Sequence, residues 1–395
     1  MTMTESLMLD IFLGVVLLAY VVYGFRNGLS RTGFVIAGVI AGVIAAFFAA
    51  PLAAAWVPVP FLRPGVTIFV AVLLVGLGHG LGSAIGRGVR HGVAKSPLGG
   101  FDRVLGALVA GVVAALVASV VAFSAGQLGV PTLSRAVAGS TILRTITTFT
   151  PDPVQSFLAQ VRGAVVDGGI PLITDALDGE VAVIPQIDTG SDALNTAAQS
   201  VVRITGNAYA CGQSQAGTGF VISDDRIITN AHVVAGVSEP VIESPSGEVI
   251  TGTIVYFDPI DDLAVIAAPG LSAPALGISE TLTAGTDAVF EGYPFGGPFA
   301  SGAADVISVT TPRVADIYGS SSNNREVYTL AAAVREGNSG GPLLTLDGRV
   351  AGVIFARSSD NDRVGYAMTM AELNPVASQA PGLADAVSSG NCITG

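Results

Sequence analysis

The chain has 395 residues, and half of them are hydrophobic. Its mean hydropathy of +0.64 exceeds that of an ordinary soluble globule, which predicts that part of the chain lies in a membrane. Residues 1–126 carry 7 basic and 3 acidic side chains (net +4); the totals of 18 and 30 leave 11 and 27 for the remainder (net −16). An acidic remainder argues against a nucleic-acid partner, which needs a basic face.

Four apolar runs in the first part are each near the roughly 20 residues that a helix needs to cross a bilayer. They cover residues 7–25, 33–55, 64–86 and 104–126. A cleaved signal peptide is the alternative for the first run, but that run has no basic segment ahead of it and three more runs follow. Basic residues cluster after the first and third runs, so these loops are expected to face the cytoplasm. Residues 1–126 are therefore predicted to form an all-α transmembrane domain of four helices, with everything after them outside the cytoplasm.

Residues 127–198 are expected to form an extracytoplasmic linker, because apolar and polar residues mix there and prolines interrupt them. Helical spacing of apolar residues predicts a short helix within 154–166. Residues 184–198 are expected to be an exposed tether. His232 is the one histidine after residue 126, and the two cysteines are far apart, so neither a metal site nor a cofactor is expected.

After residue 199, short β-branched runs alternate with turns rich in Gly, Pro, Asp and Ser, which is typical of an all-β domain. The predicted strands cover residues 201–205, 219–222, 227–229, 249–256, 288–290, 327–332 and 349–355.

The segment Gly337-Asn338-Ser339-Gly340-Gly341 predicts a tight turn that presents the Ser339 hydroxyl. In such a turn the backbone N–H groups of Gly337, Asn338 and Ser339 could converge on a developing oxyanion. Taken alone, the segment is equally well explained as a hairpin turn with an incidental serine.

Two further segments make Ser339 a candidate nucleophile. His232 follows the strand predicted at 227–229 and could act as its base, although a lone histidine is more often a core side chain. Asp262 immediately precedes an apolar strand, where a carboxylate can be half buried and aimed at the histidine. Asp261 and Asp258 are the alternatives, and Asp262 is preferred because it abuts the strand.

The sequence around these residues resembles that of the bacterial trypsin-like and high-temperature-requirement proteases. The matching segments are Thr218-Gly219-Phe220-Val221-Ile222, Thr229-Asn230-Ala231-His232-Val233-Val234, Asp262-Leu263-Ala264-Val265 and Gly337-Asn338-Ser339-Gly340-Gly341-Pro342-Leu343. The resemblance implies an all-β chymotrypsin-like double β-barrel, with His232, Asp262 and Ser339 as a catalytic triad between the barrels. Asn338 departs from the aspartate usual in the trypsin branch and is typical of bacterial members.

The segment from Asp10 to Phe34 resembles colicin V production-type membrane proteins. Joined to a trypsin-like domain at 199–395, it resembles the membrane-anchored acid-resistance serine proteases of actinobacteria. This resemblance implies a membrane-anchored extracytoplasmic serine endopeptidase that cleaves polypeptides of the cell envelope and serves acid or oxidative stress resistance. The competing hypothesis is a membrane transport or scaffold protein whose outer domain only binds.

Further expectations concern specificity, processing and redox state. Ala333 stands where the family places the floor of its specificity pocket, and Ile354 and Phe355 lie on the strand expected to form a wall, which favours small or apolar substrate side chains. Self-cleavage is expected within residues 184–200. Cys211 and Cys392 are both on the expected outer side and are predicted to form a disulfide, with two unpaired buried thiols as the alternative.

Overall fold

The computed structural model describes residues 3–55, 63–93, 99–126, 131–151, 153–155, 157–158, 170–173, 182–208 and 213–393. Its contacts divide the chain into two compact units. One unit is Asp10–Ser119, and the other combines Met1–Leu9 with Val120–Gly395.

The first unit is built from three long helices, α1 (Met3–Ala55), α2 (Arg63–Val93) and α3 (Gly99–Gly126). Among the described residues, three stretches are long and apolar enough to cross a membrane, Glu5–Ala46, Val72–Arg90 and Gly99–Ala125, rather than the four predicted. The first stretch, of 42 residues, takes in the first predicted run and most of the second. It is interrupted at Gly28, whose φ of 71° and ψ of 163° are not helical.

Small residues let these helices pack at short range. A Cβ on Gly24 in the first half of α1 would lie 2.2 Å from the carbonyl oxygen of Gly106 in α3. A Cβ on Gly38 in the second half would lie 2.2 Å from the carbonyl oxygen of Gly78 in α2. The two halves of α1 therefore pack on different helices, one on each side of Gly28.

The predicted linker contains folded elements. Helices α4 (Pro131–Ala138) and α5 (Thr141–Phe149) precede a two-residue strand, β1 (Leu172–Ile173), whereas most of the helix predicted within 154–166 lies outside the described residues. The prediction of an exposed tether is wrong from Asp192 onward, because helix α6 (Asp192–Ala197) buries Leu194, 1% exposed, in the core. Residues 184–191 keep an irregular, half-exposed course, so self-cleavage remains a prediction for them.

Two seven-stranded sheets form the rest of the second unit. The first has the order β6-β5-β2-β3-β4-β8-β7, and its strands are β2 (Val201–Ala208), β3 (Gln213–Ser223), β4 (Arg226–Thr229), β5 (Val241–Glu243), β6 (Val249–Thr251), β7 (Thr253–Asp258) and β8 (Leu263–Ala267). All five residues of β8 are buried, which explains why it reads as an unbroken apolar run.

The second sheet has the order β1-β15-β14-β9-β10-β13-β16, and a further pairing of β15 with β16 closes it into a barrel. Its remaining strands are β9 (Asp287–Gly292), β10 (Ala300–Thr310), β13 (Val327–Ala331), β14 (Pro342–Leu344), β15 (Val350–Ser358) and β16 (Val364–Met368). A separate hairpin joins β11 (Arg313–Ala315) to β12 (Ser322–Asn324). Two short helices complete the unit, α7 (Ala231–Val234) after β4 and α8 (Met370–Gln379) after β16.

Candidate active site

His232 lies in the single helical turn α7, directly after strand β4, and its side chain is buried. Its ring Nδ1 is 2.8 Å from Asp262 Oδ2, and its backbone N–H donates to Asp262 Oδ1 at 2.9 Å. Both oxygens of one carboxylate are thus engaged by one histidine. With Nδ1 as the donor to the carboxylate, Nε2 is left as the proton acceptor of the neutral ring.

Asp262 ends a tight turn that begins at Asp258. Asp258 Oδ1 accepts hydrogen bonds from the backbone N–H groups of Ile260, at 2.8 Å, and Asp261, at 3.1 Å. Asp262 itself has a φ of 57°, in the left-handed region, and its carbonyl accepts a bond from Asn230 Nδ2 at 2.8 Å. Asp262 therefore faces His232, whereas Asp258 caps the turn. Burial and the neighbouring Asp258 raise the pKa of Asp261, and Arg325 opposes this rise.

Arg325 makes contacts that could not be predicted from the sequence. It is 1% exposed, its Nη2 donates to the carbonyl oxygen of Ile260, and its guanidinium lies 5.4 Å from the centre of the Phe355 ring. The backbone N–H of Ile317 donates to the carbonyl of Pro259 at 3.1 Å. Two consecutive carbonyls of the Asp258–Asp262 turn are therefore held by the segment that contains the β11–β12 hairpin.

The turn around Ser339 depends on left-handed glycines, with φ values of 87° at Gly337 and 82° at Gly340. Thr218 of the first sheet anchors the turn, since its N–H donates to Ser339 O at 2.9 Å and its Oγ1 to Gly337 O at 2.6 Å. These bonds bring Ser339 beside β3, which pairs with β4, the strand that ends just before His232. Ser339 Oγ is buried and makes no hydrogen bond to a described residue, so no Ser339–His232 bond is present.

The backbone donors of this turn are not equivalent. The Asn338 N–H donates to Arg335 O at 3.0 Å and closes the turn. The Phe295 N–H donates to Glu336 O at 2.6 Å, and because a peptide is planar, this bond points the Gly337 N–H the opposite way. Within the described part of the chain, the N–H groups of Gly337 and Ser339 have no acceptor. Asn338 therefore has no free N–H for the oxyanion, contrary to the prediction from the sequence.

The residues predicted to line the specificity pocket do not all lie in the same apolar cluster. Ile354 belongs to the same buried apolar cluster as Ala332 and Val334, next to half-buried Ala333. Phe355 belongs to the other cluster, because successive side chains of a strand point to opposite faces. Ile354 and Phe355 therefore cannot line one pocket together, and Ile354 shares its cluster with the two chain neighbours of Ala333.

Glu291 is a second buried charged residue that was missed from the sequence. It lies in β9, is 1% exposed, and its Oε2 has no partner among the described residues. Burial raises the pKa of Glu291 to about 7, against the lowering effect of a hydrogen bond from Ser301 Oγ to Oε1 at 3.3 Å. A Cβ on Gly341 would lie 2.3 Å from Glu291 O, so this carboxyl sits on the strand behind the Ser339 turn.

The structure describes Cys392, one member of the predicted cysteine pair. Cys211 lies outside the described residues, so the Cys211–Cys392 disulfide remains a prediction. A Cβ on Gly236 would meet Cys392 Sγ at 3.0 Å and Ala208 Cβ at 3.2 Å, which puts Cys392 near a residue three positions before Cys211. Among the described residues, no group of three or more His, Cys, Asp or Glu side chains could hold a metal ion.

Comparison with known proteins identifies both parts of the chain. Residues 217–353 match the family model of the trypsin-like peptidase domain, and residues 9–151 match that of the Colicin V production protein. The chain is 34% identical over 273 residues to the serine protease Rv3671c of Mycobacterium tuberculosis H37Rv, covering 67% of this chain and 68% of that protein. A probable periplasmic DegP-like serine endoprotease of Halomonas elongata is 36% identical over 171 residues, 41% of this chain and 34% of that protein.

The crystal structure of the Rv3671c protease in its active form matches with a TM-score of 0.52 and 34% identity, covering 57% of this chain and 95% of that one. The second unit is therefore a chymotrypsin-like β-barrel protease domain, as the motifs around His232, Asp262 and Ser339 indicated. With a colicin V production-type region ahead of it, the chain belongs to the family of trypsin-like serine proteases that includes Rv3671c.

Proposed function

We propose that the protein is a membrane-anchored, extracytoplasmic serine endopeptidase with His232, Asp262 and Ser339 as its catalytic triad. The supporting observation is the pair of bonds, at 2.8 and 2.9 Å, by which Asp262 fixes His232. Ser339 Oγ attacks the scissile carbonyl, and His232 Nε2 takes its proton and passes it to the leaving amine. Asp262 holds the ring tautomer and stabilises the imidazolium.

The proposed oxyanion hole consists of the N–H groups of Gly337 and Ser339, which have no other acceptor in the described part of the chain. Each such donor, aimed at charge that develops in the transition state, is worth roughly 10²–10³ in kcat. Asn338 is left out, because its N–H is bonded to Arg335 O.

The missing Ser339–His232 bond is compatible with this role, since catalytic hydrogen bonds often tighten only when substrate binds. Ser339→Ala and His232→Ala should each lower casein cleavage by roughly 10⁴–10⁶, with little further loss in combination. Exposed Ser378 provides the matched control, and Ser378→Ala should retain full activity. Substantial cleavage by the Ser339→Ala protein would refute the assignment.

We also propose that α1 supplies two membrane spans that meet at Gly28, giving four spans in all. A helix of 42 residues is about 63 Å long at ~1.5 Å per residue, twice the roughly 30 Å hydrocarbon thickness of a bilayer. As a single span it would also place Arg26 or Arg31 within hydrocarbon, at a cost of about 2.5–3.5 kcal/mol for each buried arginine. Two spans instead put both arginines in a cytoplasmic loop and place the protease domain outside.

Fusions of alkaline phosphatase, which is active only outside the cytoplasm, test this arrangement. Fusions after Ala55 and after Gly190 should be active, and a fusion after Val93 should be inactive. A single long span with the protease domain outside gives the same results at these three sites but puts the N-terminus in the cytoplasm. With two spans, a cysteine introduced as Thr4→Cys should react with a membrane-impermeant maleimide in intact cells, and an unlabelled variant would rule out the two-span proposal.

The proposed physiological role, resistance of the cell envelope to acid or oxidative stress, rests on the resemblance to actinobacterial proteases. Cells that depend on the Ser339→Ala protein should then lose viability in acid or peroxide while growing normally otherwise. Equal survival of wild-type and Ser339→Ala cells under both stresses would contradict this role.

A further inference from the structure

A short piece of the linker lies on the edge of strand β15. Residues 170–173, which we call the strap, contain β1, which pairs in parallel with β15 through Leu172 opposite Arg357 and Ile173 opposite Ser358. The Arg357 N–H donates to Pro171 O at 3.1 Å, and the Ser359 N–H donates to Ile173 O at 3.0 Å. The backbone N–H groups of Arg357 and Ser359 are thus bonded to the strap, an earlier segment of the same chain.

The occupied edge is the one that continues from the Ser339 turn. Ile354 N–H donates to Gly341 O at 2.9 Å, and Gly340 N–H donates to Ile354 O at 2.8 Å. The opposite edge belongs to β16, with which Arg357 pairs through Gly365. From Ile354 to Arg357 is three residues, or about 10 Å at ~3.3 Å per residue. The strap therefore begins close to the nucleophile turn and runs away from it.

The first strap residue fills apolar space in the cluster that contains Ile354, the predicted pocket wall. Ile170 is 6% exposed and belongs to the buried cluster that contains Ala332, Val334 and Ile354. Ala332 and Val334 flank Ala333, the predicted pocket floor. By contrast, Leu172 is 58% exposed, although it lies on the same strand.

We propose that the strap is an autoinhibitory segment that occupies, in cis, the sheet edge and apolar pocket needed by the substrate residues before the scissile bond. An extended peptide binds such an edge by adding a strand, with backbone bonds for affinity and pockets for alternate side chains. The strap already uses the Arg357 N–H and places Ile170 in the apolar cluster, so a substrate must displace it. The proposal rests on the proposed protease function and adds regulation and a substrate class to it.

The side chain that the cluster accepts defines this substrate class. Ile170 is β-branched and uncharged, and the three cluster residues beside it carry no partner for a cation. Substrates with Ile, Val or Leu at the corresponding position should therefore be preferred over those with Arg or Lys.

The test compares full-length wild-type protein with Ile170→Asp and Ile170→Val variants in detergent, using a short chromogenic peptide with an aliphatic residue before the cleaved bond. Because the strap competes with substrate, Ile170→Asp should lower KM by about 10- to 100-fold, the range expected for burial of one aliphatic side chain, with kcat unchanged. Ile170→Val should change KM only slightly, and the exposed-site control Leu172→Asp should lower KM far less than Ile170→Asp.

A capped tetrapeptide of strap sequence, Ile-Pro-Leu-Ile, should inhibit the Ile170→Asp protein competitively, and the same peptide with Asp in first position should not. Labelling of Ser339 by a fluorophosphonate reports separately on the catalytic serine. Unchanged KM in a labelled, active Ile170→Asp protein would overturn the strap proposal and leave the protease assignment intact. Absent Ser339 labelling in all variants would instead overturn the assignment. If Ile170→Asp fails to fold, the milder truncation Ile170→Ala takes its place, and an unchanged KM in that variant would refute the strap.

Discussion

Glu291 should make the protease domain more stable in mild acid than at neutral pH. Its carboxyl titrates near pH 7 in the folded state because burial disfavours the charged form, whereas its ordinary pKa is 4.5. A raised carboxyl pKa means that the folded state binds the extra proton. The stabilisation is thus complete below about pH 4.5 and is lost as the pH rises through about 7. A difference of about 2.5 units at ~1.36 kcal/mol each corresponds to roughly 3 kcal/mol.

The variant Glu291→Gln isolates this effect, because the amide has nearly the shape of the carboxyl but does not ionise. Scanning calorimetry of the full chain in detergent, from pH 5 to pH 8, should show the variant unfolding at a higher temperature than wild type at pH 8. For a domain of this size, about 3 kcal/mol corresponds to a difference of roughly 6–12 °C. The difference should shrink toward pH 5, where wild-type Glu291 is protonated.

Glu280→Gln is the matched control, since Glu280 is exposed and the substitution is chemically identical. It should leave the dependence on pH as in wild type. Two results would show that the reasoning is wrong: parallel curves for wild type and Glu291→Gln across the whole range, or a wild-type advantage that grows as the pH rises.

Further substitutions have defined outcomes. Gly337→Ala should reduce kcat at least 10²-fold. The added Cβ would lie 2.3 Å from Tyr293 O, and the φ of 87° is unfavourable for alanine, so the proposed oxyanion donor at residue 337 would be displaced. A variant that stays active in steady-state assays would argue against that donor. Asp262→Asn should reduce kcat by about 10⁴ and Asp261→Asn far less, and the reverse order would reassign the third triad member. Arg325→Met should lower kcat by up to about 10² and shift the acid limb of the pH–rate profile to lower pH, because a displaced Asp262 stabilises the imidazolium less. Exposed Arg313→Met is its control. An unshifted profile would mean that Arg325 contributes only to the stability of the fold. Cys392→Ser should lower the unfolding temperature in oxidising buffer, at most by the equivalent of about 5 kcal/mol, and no change in calorimetry would contradict the disulfide.

The residues of the candidate site could be proposed from the sequence because each motif is local. Ser339 sits between two left-handed glycines, and His232 and Asp262 each stand at the end of a strand whose apolar pattern is readable. Even the choice between neighbouring aspartates followed from adjacency to strand β8. The apolar pattern did not predict the left-handed φ of 57° at Asp262, which is the conformation in which Asp262 faces His232.

The wrong expectations concern features that depend on register or on distant packing. Ile354 and Phe355 were predicted to line one pocket, but the alternation of side chains along the strand assigns them to different faces. The tether was expected to be exposed because its residues are small and polar on average. Leu194 and Ala197 provide the apolar contacts that dock helix α6, and two apolar residues are too few to give a periodic signal.

Arg325 and Glu291, the two buried charged residues missed from the sequence, differ in the signal that the sequence carries for them. Each is a charged residue at the border of a buried strand, Arg325 two residues before β13 and Glu291 within β9. Burying an ionic group without a partner is costly, so a charge inside an apolar run indicates either a specific contact or a shifted pKa. Glu291 carries this signal and shows the shifted pKa. Arg325 stands in the polar segment Asn323-Asn324-Arg325-Glu326 and carries no such signal, although it bonds to Ile260 O across 65 positions. The partner of such a residue depends on how the barrel closes. For that reason the role of Arg325 becomes visible only where the β11–β12 hairpin meets the turn that carries Asp262.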